Sequence, residues 1–215
     1  RPLTHVLGVS WGKTLHLVAQ ALPQRWRNGV KVVQVNGAVS HSQSPGLASA
    51  TATMIANKGH GDVTLLPTPA ILEREETKQA IESDRSIRGV LAHAAQADTY
   101  LFSAGPATEV SIHVQSGYIN HDDVQRLQDK GAVGDVLGRY ITQEGNIADT
   151  ELDNRTLGLS LESLRQAPRS IAVVSGADKH QVALAIARSS LASVMIMDEA
   201  TATFLLDNQP KDTTP

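Results

Sequence analysis

Residues 7–15 read Leu-Gly-Val-Ser-Trp-Gly-Lys-Thr-Leu, and the predicted fold depends on this stretch. An apolar run from Leu3 to Val9 leads into it, and a periodic apolar segment from Leu15 to Leu22 follows it. The pattern predicts a β-strand, a tight glycine turn and the start of an α-helix. Because free backbone N–H groups at a helix N-terminus attract anions, the expected ligand of this turn is a phosphate.

The side chains of this turn fit that expectation but also permit other functions. Ser10 and Thr14 offer hydroxyls, Gly12 allows close approach to the backbone, and Lys13 adds a positive charge. The pattern Gly8-x-Ser10-x-Gly12 also matches the nucleophile elbow of α/β-hydrolases, which normally lies further inside a chain. The tail Gly12-Lys13-Thr14 matches an NTPase phosphate loop, but the earlier glycine is one residue too close. A glycine turn that merely connects a strand to a helix is a further alternative.

Composition limits the class of protein. Of 215 residues 41% are hydrophobic and only 3% aromatic, which suits a core of aliphatic parallel strands and packed helices. A net charge of −3 without a basic run lacks the electrostatic pattern of a nucleic-acid binder. The absence of cysteine excludes disulfides, thiol catalysis and zinc–thiolate sites. No apolar run reaches the ~18 residues of a membrane-spanning helix.

Strands and helices are predicted to alternate along most of the chain. Such alternation predicts an α/β fold with a parallel sheet and helices on both faces. A helical region is expected from Pro69 to about Gln96, with a break near Ser83. The predicted strands are Leu3–Val9, Lys31–Val35, Val63–Leu66, Thr99–Phe102, Ser170–Val174 and Val194–Met197.

The middle of the chain has a different pattern. Residues from about 107 to about 160 are predicted to form a smaller lobe with antiparallel strands, inserted between the two halves of the sheet. Within it, Gly131–Gly138 is interpreted as a glycine-rich turn that carries Asp135, and Asp153–Arg155 as another turn. Residues 1–207 are assigned to one binding domain, and the polar residues 208–215 to a flexible tail.

Candidate site residues follow the predicted strand ends, where open α/β sheets bind ligands. Backbone amides and Lys179 are expected to bind a phosphate, and Asp135 and Asn36 to bind sugar hydroxyls. Asp178 and Asp198 are predicted to be helix caps. The eight histidines lack metal-ligand spacing, so neither a metal nor a cofactor is predicted. The complete predicted site is Ser10, Trp11, Gly12, Lys13, Thr14, Asn36, Gly37, Gly105, Asp135 and Lys179.

Five motifs follow one another along the chain. They are Gly-Val-Ser-Trp-Gly-Lys-Thr (8–14), Gly-Ala-Val-Gly-Asp (131–135), Leu-Gly-Leu-Ser-Leu-Glu-Ser-Leu-Arg (157–165), Gly-Ala-Asp-Lys (176–179) and Met-Asp-Glu-Ala-Thr-Ala (197–202). With these motifs the sequence from Thr4 to Leu206 resembles the C-terminal effector-binding domain of SorC-type bacterial transcriptional regulators. The resemblance implies a Rossmann-like, three-layer fold akin to glucosamine-6-phosphate deaminase and ribose-5-phosphate isomerase. It also implies a phosphorylated sugar or polyol as effector, a dimer or tetramer, and a cytoplasmic location.

The resemblance also implies roles for particular residues. The loop 10–14 corresponds to the phosphate-binding loop of the family, Asp135 to its acid and Lys179 to its late lysine. Two positions depart from the family pattern: Ser103-Ala104-Gly105 replaces Gly-Ile-Gly, and Thr142 replaces an acid. Both departures concern which sugar is bound.

The chain begins almost inside a strand, so an upstream segment is expected. The family's helix-turn-helix is not in this sequence, so contact with DNA is expected only through that domain, and contact with membranes is not expected. No catalytic residue is assigned. The alternative is a sugar-phosphate isomerase, deaminase or lactonase on the same fold. Such an enzyme needs a general base, for which Asp135 is the one candidate, without an obvious partner histidine.

Overall fold

Short aliphatic strands and amphipathic helices alternate in the computed structural model, which describes residues 5–39 and 46–208. The strands are β1 (Val6–Val9), β2 (Lys31–Gln34), β3 (Asp62–Thr64), β4 (Thr99–Phe102), β5 (Ala104–Pro106), β6 (Ala132–Val136), β7 (Arg139–Thr142), β8 (Ser170–Val174) and β9 (Val194–Met197). The helices are α1 (Lys13–Ala21), α2 (Leu47–Lys58), α3 (Glu75–Ser83), α4 (Arg85–Ala94), α5 (Ile112–Gln115), α6 (His121–Asp129), α7 (Thr150–Arg155), α8 (Leu161–Arg165), α9 (His180–Arg188) and α10 (Glu199–Asp207).

The main sheet is parallel throughout and has the strand order β3-β2-β1-β4-β8-β9. The order reverses between β1 and β4, so the loops that follow these two strands diverge to opposite sides. A crevice for ligands opens at such a switch point, beyond the carboxyl ends of the strands. The predicted α/β fold with a parallel sheet is confirmed.

Helices cover both faces of this sheet and produce three layers. On one face Val9 and Val32 pack with Leu15 of α1 and Ile55 of α2. On the other face a larger cluster includes Phe102 and residues of α8, α9 and α10. Alternate residues of each strand therefore pack into two separate cores, one on each face of the sheet. Burial on both faces explains why the strands are nearly continuous apolar runs.

A second sheet is antiparallel, with the order β5-β6-β7, and lies within Ala104–Thr142. Leu137 and Gly138 close its β6–β7 hairpin with φ angles of 57° and 82°. A two-residue turn with both φ angles positive matches the right-handed twist of the flanking strands. The predicted small antiparallel unit, inserted between the halves of the parallel sheet, is confirmed.

The glycine-rich segment 131–138 is largely strand β6, so its interpretation as a turn is wrong. Position 134 in that strand requires a glycine, because a side chain there would collide with the carbonyl oxygen of Gly105 and with Val182 of α9. A glycine inside a strand marks such close packing. Asp135 consequently projects from a strand, with Gly105 and Tyr140 as its cross-strand partners.

Two other local predictions are wrong. Residues 153–155 belong to α7, whose start is capped by the carboxylate of Asp149. The helix predicted from Pro69 begins only at Glu75, because residues before it pair with other segments. Pro69 forms an isolated β-bridge with Ala38, and Ile71 forms one with Thr156. Long-range pairing overrides the local pattern before Glu75, whereas at residues 153–155 the helix follows from the local cap at Asp149.

None of the described helices has both the length and the apolar character needed to cross a membrane. The part of the first predicted strand before His5 and the predicted tail after Asn208 lie outside the described residues.

Candidate functional site

A cavity of about 240 Å³ opens at the carboxyl edge of the main sheet, between the loops that follow β1, β4 and β8 and the small sheet. The structure brings nine of the ten predicted site residues to this cavity: Ser10, Trp11, Gly12, Lys13, Thr14, Asn36, Gly105, Asp135 and Lys179. The strand ends predicted to converge therefore do converge.

Gly37, the tenth residue, does not line the cavity and instead supports it. Its carbonyl oxygen accepts a hydrogen bond of 2.8 Å from the indole Nε1 of Trp11. A side chain at position 37 would collide with the carbonyl oxygen of Pro69. The glycine is thus required for packing, and the one polar atom of Trp11 is already used within the protein.

One end of the cavity is formed by the start of a helix. Helix α1 begins there, without an acidic residue in its first turn, and no described side chain caps its N-terminus. Gly12 has a φ of 140°, which a residue with a side chain rarely adopts. Ser10 is buried, Thr14 is half-buried and Lys13 is exposed. Backbone amides, hydroxyls and an ammonium group thus surround this end of the cavity.

Lys179 approaches from the loop that follows β8. It closes a short 3₁₀ turn, Ala177–Lys179, and is half-buried. Asp198 fixes this loop, since its Oδ2 accepts the backbone N–H of Gly176 at 2.9 Å and its Oδ1 accepts that of Thr201 at 2.7 Å. The N–H of Thr201, the hydroxyl of Ser175 and the N–H of Gly176 together lower the pKa of Asp198.

Asp198 is therefore the predicted cap, at the start of α10. Asp178 is not a cap: it lies inside the 3₁₀ turn and lines the cavity. Within residues 5–39 and 46–208, neither Lys13 nor Lys179 takes part in an ion pair. Both ammonium groups are consequently available to a ligand.

Asp135 supplies a carboxylate on the side of the small sheet. Its Oδ2 accepts the backbone N–H of Gly138 at 3.0 Å. A side chain at position 105 would collide with Oδ1, so Gly105 provides the space that this carboxylate occupies. Asp135 is only 8% exposed and has no cationic partner among the described residues. A buried carboxylate in this situation favours ligands with hydrogen-bond donors.

Two further polar groups at the cavity lack partners. Asn36 is 3% exposed, and its Oδ1 has no hydrogen bond within the described structure. The same holds for the hydroxyl of Ser103, which directly follows β4. Because buried polar atoms are nearly always hydrogen-bonded, these two groups indicate a polar ligand.

His113 and the hairpin residues Leu137 and Gly138 also line the cavity and were not predicted. His113 is 2% exposed, and its Nδ1 lies 3.1 Å from the hydroxyl of Tyr140 on β7. No sequence signal could have identified it, because α5 meets β7 only through tertiary packing. His113 lines the same cavity as Asp135, for which the sequence showed no obvious partner histidine.

The structure does not assemble a nucleophile elbow around Ser10. No described histidine forms a hydrogen bond with its hydroxyl, and the imidazole of His16 is bound through Nδ1 to Thr51 at 3.2 Å. Among residues 5–39 and 46–208, Ser10 therefore has no histidine placed as its general base. Among the described residues no group of three or more histidines, cysteines or acids is arranged to hold a metal ion.

The fold and the cavity define a doubly wound α/β domain with a polar cavity, which combines the start of a helix with buried oxygen atoms. The chain belongs to the Sugar-bind family of sugar-binding domains, whose model matches residues 3–207. The resemblance to the effector domain of SorC-type regulators is confirmed, and the chain is a sugar-binding domain of the kind found in transcriptional regulators.

The chain is similar to the deoxyribonucleoside regulator of Bacillus subtilis, with 32% identity over 203 residues that cover 94% of this chain. It spans 64% of that relative, which is less than two thirds of its length. A solved structure described as a domain of a possible sugar-binding transcriptional regulator from Arthrobacter aurescens TC1 has 31% identity and a TM-score of 0.85, covering 94% of this chain and 78% of that one. The full-length sorbitol operon regulator SorC of Klebsiella pneumoniae shares the fold, with a TM-score of 0.86 at 22% identity over 94% of this chain and 67% of that one.

Proposed function

We propose that this domain senses a phosphorylated sugar or polyol and thereby controls a transcriptional regulator in the cytoplasm. The uncapped start of α1 at one end of the cavity carries the proposal. Its backbone amides, the hydroxyls of Ser10 and Thr14, and the ammonium group of Lys179 would bind the phosphate. A phosphate has about −1.5 to −2 charges near pH 7 and needs several donors with at least one cation.

The rest of the cavity suits the sugar. Asp135 and Asn36 present oxygen atoms that would accept hydrogen bonds from hydroxyl groups. The volume of about 240 Å³ is below the range of roughly 300–1,000 Å³ for drug-sized ligands, which favours a single small phosphosugar.

Binding would regulate by shifting populations between states of an oligomer. An effector that prefers one arrangement of subunits biases how the DNA-binding parts of a regulator are presented. In this proposal the domain is a homo-oligomer, a dimer or tetramer, and it touches DNA only through another domain. The relatives named as transcriptional regulators support this role and favour a sensor without catalysis.

A thermal-shift screen of sugar phosphates and polyol phosphates tests the proposal. An effector at 100 times its dissociation constant should stabilise the fold by about 2.7 kcal/mol. The same mixtures, followed by NMR, test the enzyme alternative, which the presence of both Asp135 and His113 at the cavity keeps open. Turnover of any sugar phosphate would overturn the sensor without catalysis, and the absence of any shift would favour a purely structural oligomerisation module.

A further inference from the structure

His113 is a buried imidazole on the wall of the cavity, and its two nitrogens have different surroundings. Nδ1 lies 3.1 Å from the hydroxyl of Tyr140, and the two rings meet edge to face with centroids 5.8 Å apart. Nε2 has no hydrogen-bond partner among the described residues. It lies 3.6 Å from the position where a side chain of Gly138 would begin. One nitrogen is therefore fixed by the protein and the other is left for a ligand.

Tyr140 is itself held in place. Its hydroxyl lies 3.4 Å from the hydroxyl of Ser111, which also accepts the backbone N–H of Val114 at 3.3 Å and so caps α5. Burial, and then the negative charge of Asp135, raise the pKa of Tyr140, so its hydroxyl keeps its proton. A protonated hydroxyl can donate to Nδ1 or accept from it, and either bond fixes the plane of the imidazole ring.

His113 lies on the side of the cavity proposed for the sugar, not at the end proposed for the phosphate. Gly138 adjoins both polar groups of this side: its N–H binds Oδ2 of Asp135, and its missing side chain leaves the approach to Nε2 of His113 open. The phosphate donors come from the loop after β1 and from the loop after β8, whereas His113 belongs to α5 and packs on the small sheet.

We infer that His113 is a specificity-determining residue that forms a hydrogen bond through Nε2 to a hydroxyl of the sugar body, with Tyr140 as its positioning residue. The inference rests on the proposed function, since it concerns the same cavity. A histidine buried only for packing would leave Nε2 without a partner in the bound state, at a cost that buried polar groups usually avoid.

Calorimetric titration with ribose 5-phosphate, fructose 6-phosphate, glucose 6-phosphate and inorganic phosphate tests this inference. His113→Ala and His113→Gln should weaken the tightest of the three phosphosugars by about tenfold, the equivalent of one hydrogen bond of roughly 1.4 kcal/mol. Inorganic phosphate, which reaches only the anion-binding end, should bind the variants within about twofold of the wild type. His121→Gln is the matched control, because His121 is 78% exposed and is bound to Glu109 on the surface.

Tyr140→Phe tests whether Tyr140 acts by orienting the His113 ring rather than by touching the ligand itself. It should change the ¹⁵N shifts of the His113 imidazole and weaken the phosphosugar severalfold, but add little in the background of His113→Ala. Equal weakening of phosphosugar and inorganic phosphate, or no weakening by either His113 variant in a folded protein, would overturn the role of His113 alone. Failure of the wild type to bind any of the three phosphosugars would instead overturn the proposed function and this inference together.

Discussion

Trp11 and Gly37 are joined by a buried hydrogen bond of 2.8 Å, from the indole Nε1 of the first to the carbonyl oxygen of the second. Both residues are predicted ligand contacts, yet the bond connects them to each other. The bond connects the loop after β1, which leads into the start of α1, to the chain that leaves β2. The shape of the cavity therefore depends on this contact between two neighbouring strand ends.

Trp11→Phe should destabilise the domain by about 1–3 kcal/mol, because the carbonyl oxygen of Gly37 would lose its buried donor. Urea unfolding, followed by circular dichroism, measures this free energy. Trp26→Phe is the matched control, since Trp26 also donates its indole N–H to a carbonyl, that of Ile55, but lies away from the cavity. Both variants should lose stability, whereas only Trp11→Phe should also weaken phosphosugar binding. Equal binding by the two would contradict the role of the Trp11 contact in the cavity.

Gly105→Ala should weaken phosphosugar binding with little effect on folding. The added methyl group would collide with Oδ1 of Asp135 and displace the carboxylate, which is the flexible end of a side chain. Gly89→Ala is the control: it lies inside α4 with no atom within 4 Å of the added carbon, and it should stabilise the helix by about 0.5–1 kcal/mol. Calorimetry and thermal melting measure the two effects. Normal phosphosugar affinity in Gly105→Ala would show that the position of Asp135 does not matter.

The parallel sheet could be predicted from the sequence because its strands are short aliphatic runs with polar boundaries. The bounds of β4, β8 and β9 coincide with their predictions. The edge of the sheet that carries the cavity follows from this topology, so most residues of the candidate site could be predicted as well. The small sheet was harder, since Gly134 looks like a turn residue but is required by the packing of α9.

His113 shows what could not be predicted. Its place in the cavity depends on the contact of α5 with β7, between residues 27 positions apart, and on the orientation given by Tyr140. A single sequence without periodicity at His113 contains no information on such a contact. Likewise, position 37 requires a glycine because the carbonyl oxygen of Pro69 packs against it, and this contact joins segments that are far apart in the sequence.

Asp149 should make stability depend on pH. Its side chain is fully buried and lies 3.1 Å from both Arg126 and Lys130. Burial raises the pKa of Asp149, but hydrogen bonds from Lys130, Arg126 and the N–H of Leu152, together with the charge of Lys130, outweigh burial, and the pKa is lower than usual. The lowered pKa stabilises the fold above the unfolded-state value of about 3.9, and this contribution disappears as the pH falls through the folded-state value.

Asp149→Asn keeps an oxygen that can cap α7 but removes the charge. It should cost about 1–3 kcal/mol at pH 7, less than a fully buried ion pair, because the two cations are partly solvated. Urea unfolding at pH 7 and pH 3 should show the difference from the wild type shrinking in acid. The same difference at both pH values would contradict this account of the charge.

We propose the edge strand β9 as the surface for the self-association of this domain. Ile196 is 54% exposed and Val194 is 39% exposed on the strand at one end of the main sheet. Light scattering should give a mass above the 22.9 kDa of one chain, and Ile196→Lys should shift the protein toward the monomer. Leu206→Lys, which changes an even more exposed apolar residue on α10, is the control. A monomeric wild type at micromolar concentration would contradict the proposed oligomer for this domain.

Calorimetric titration of a phosphosugar and of its unphosphorylated parent, against the wild type, Thr14→Val and Lys179→Met, tests the central claim most directly. Thr14→Val keeps the shape of the side chain and removes one hydroxyl at the start of α1. It should cost about 1.5–3 kcal/mol of phosphosugar binding, the scale of a hydrogen bond to a charged group. Lys179→Met should cost as much or more, and neither variant should change the weak binding of the parent sugar. Lys31→Met is the control, because Lys31 lies at the amino end of β2, away from the cavity. It should leave the binding of both ligands unchanged. If Thr14→Val weakens both ligands equally, or neither, then the start of α1 is not the phosphate site and the account is wrong.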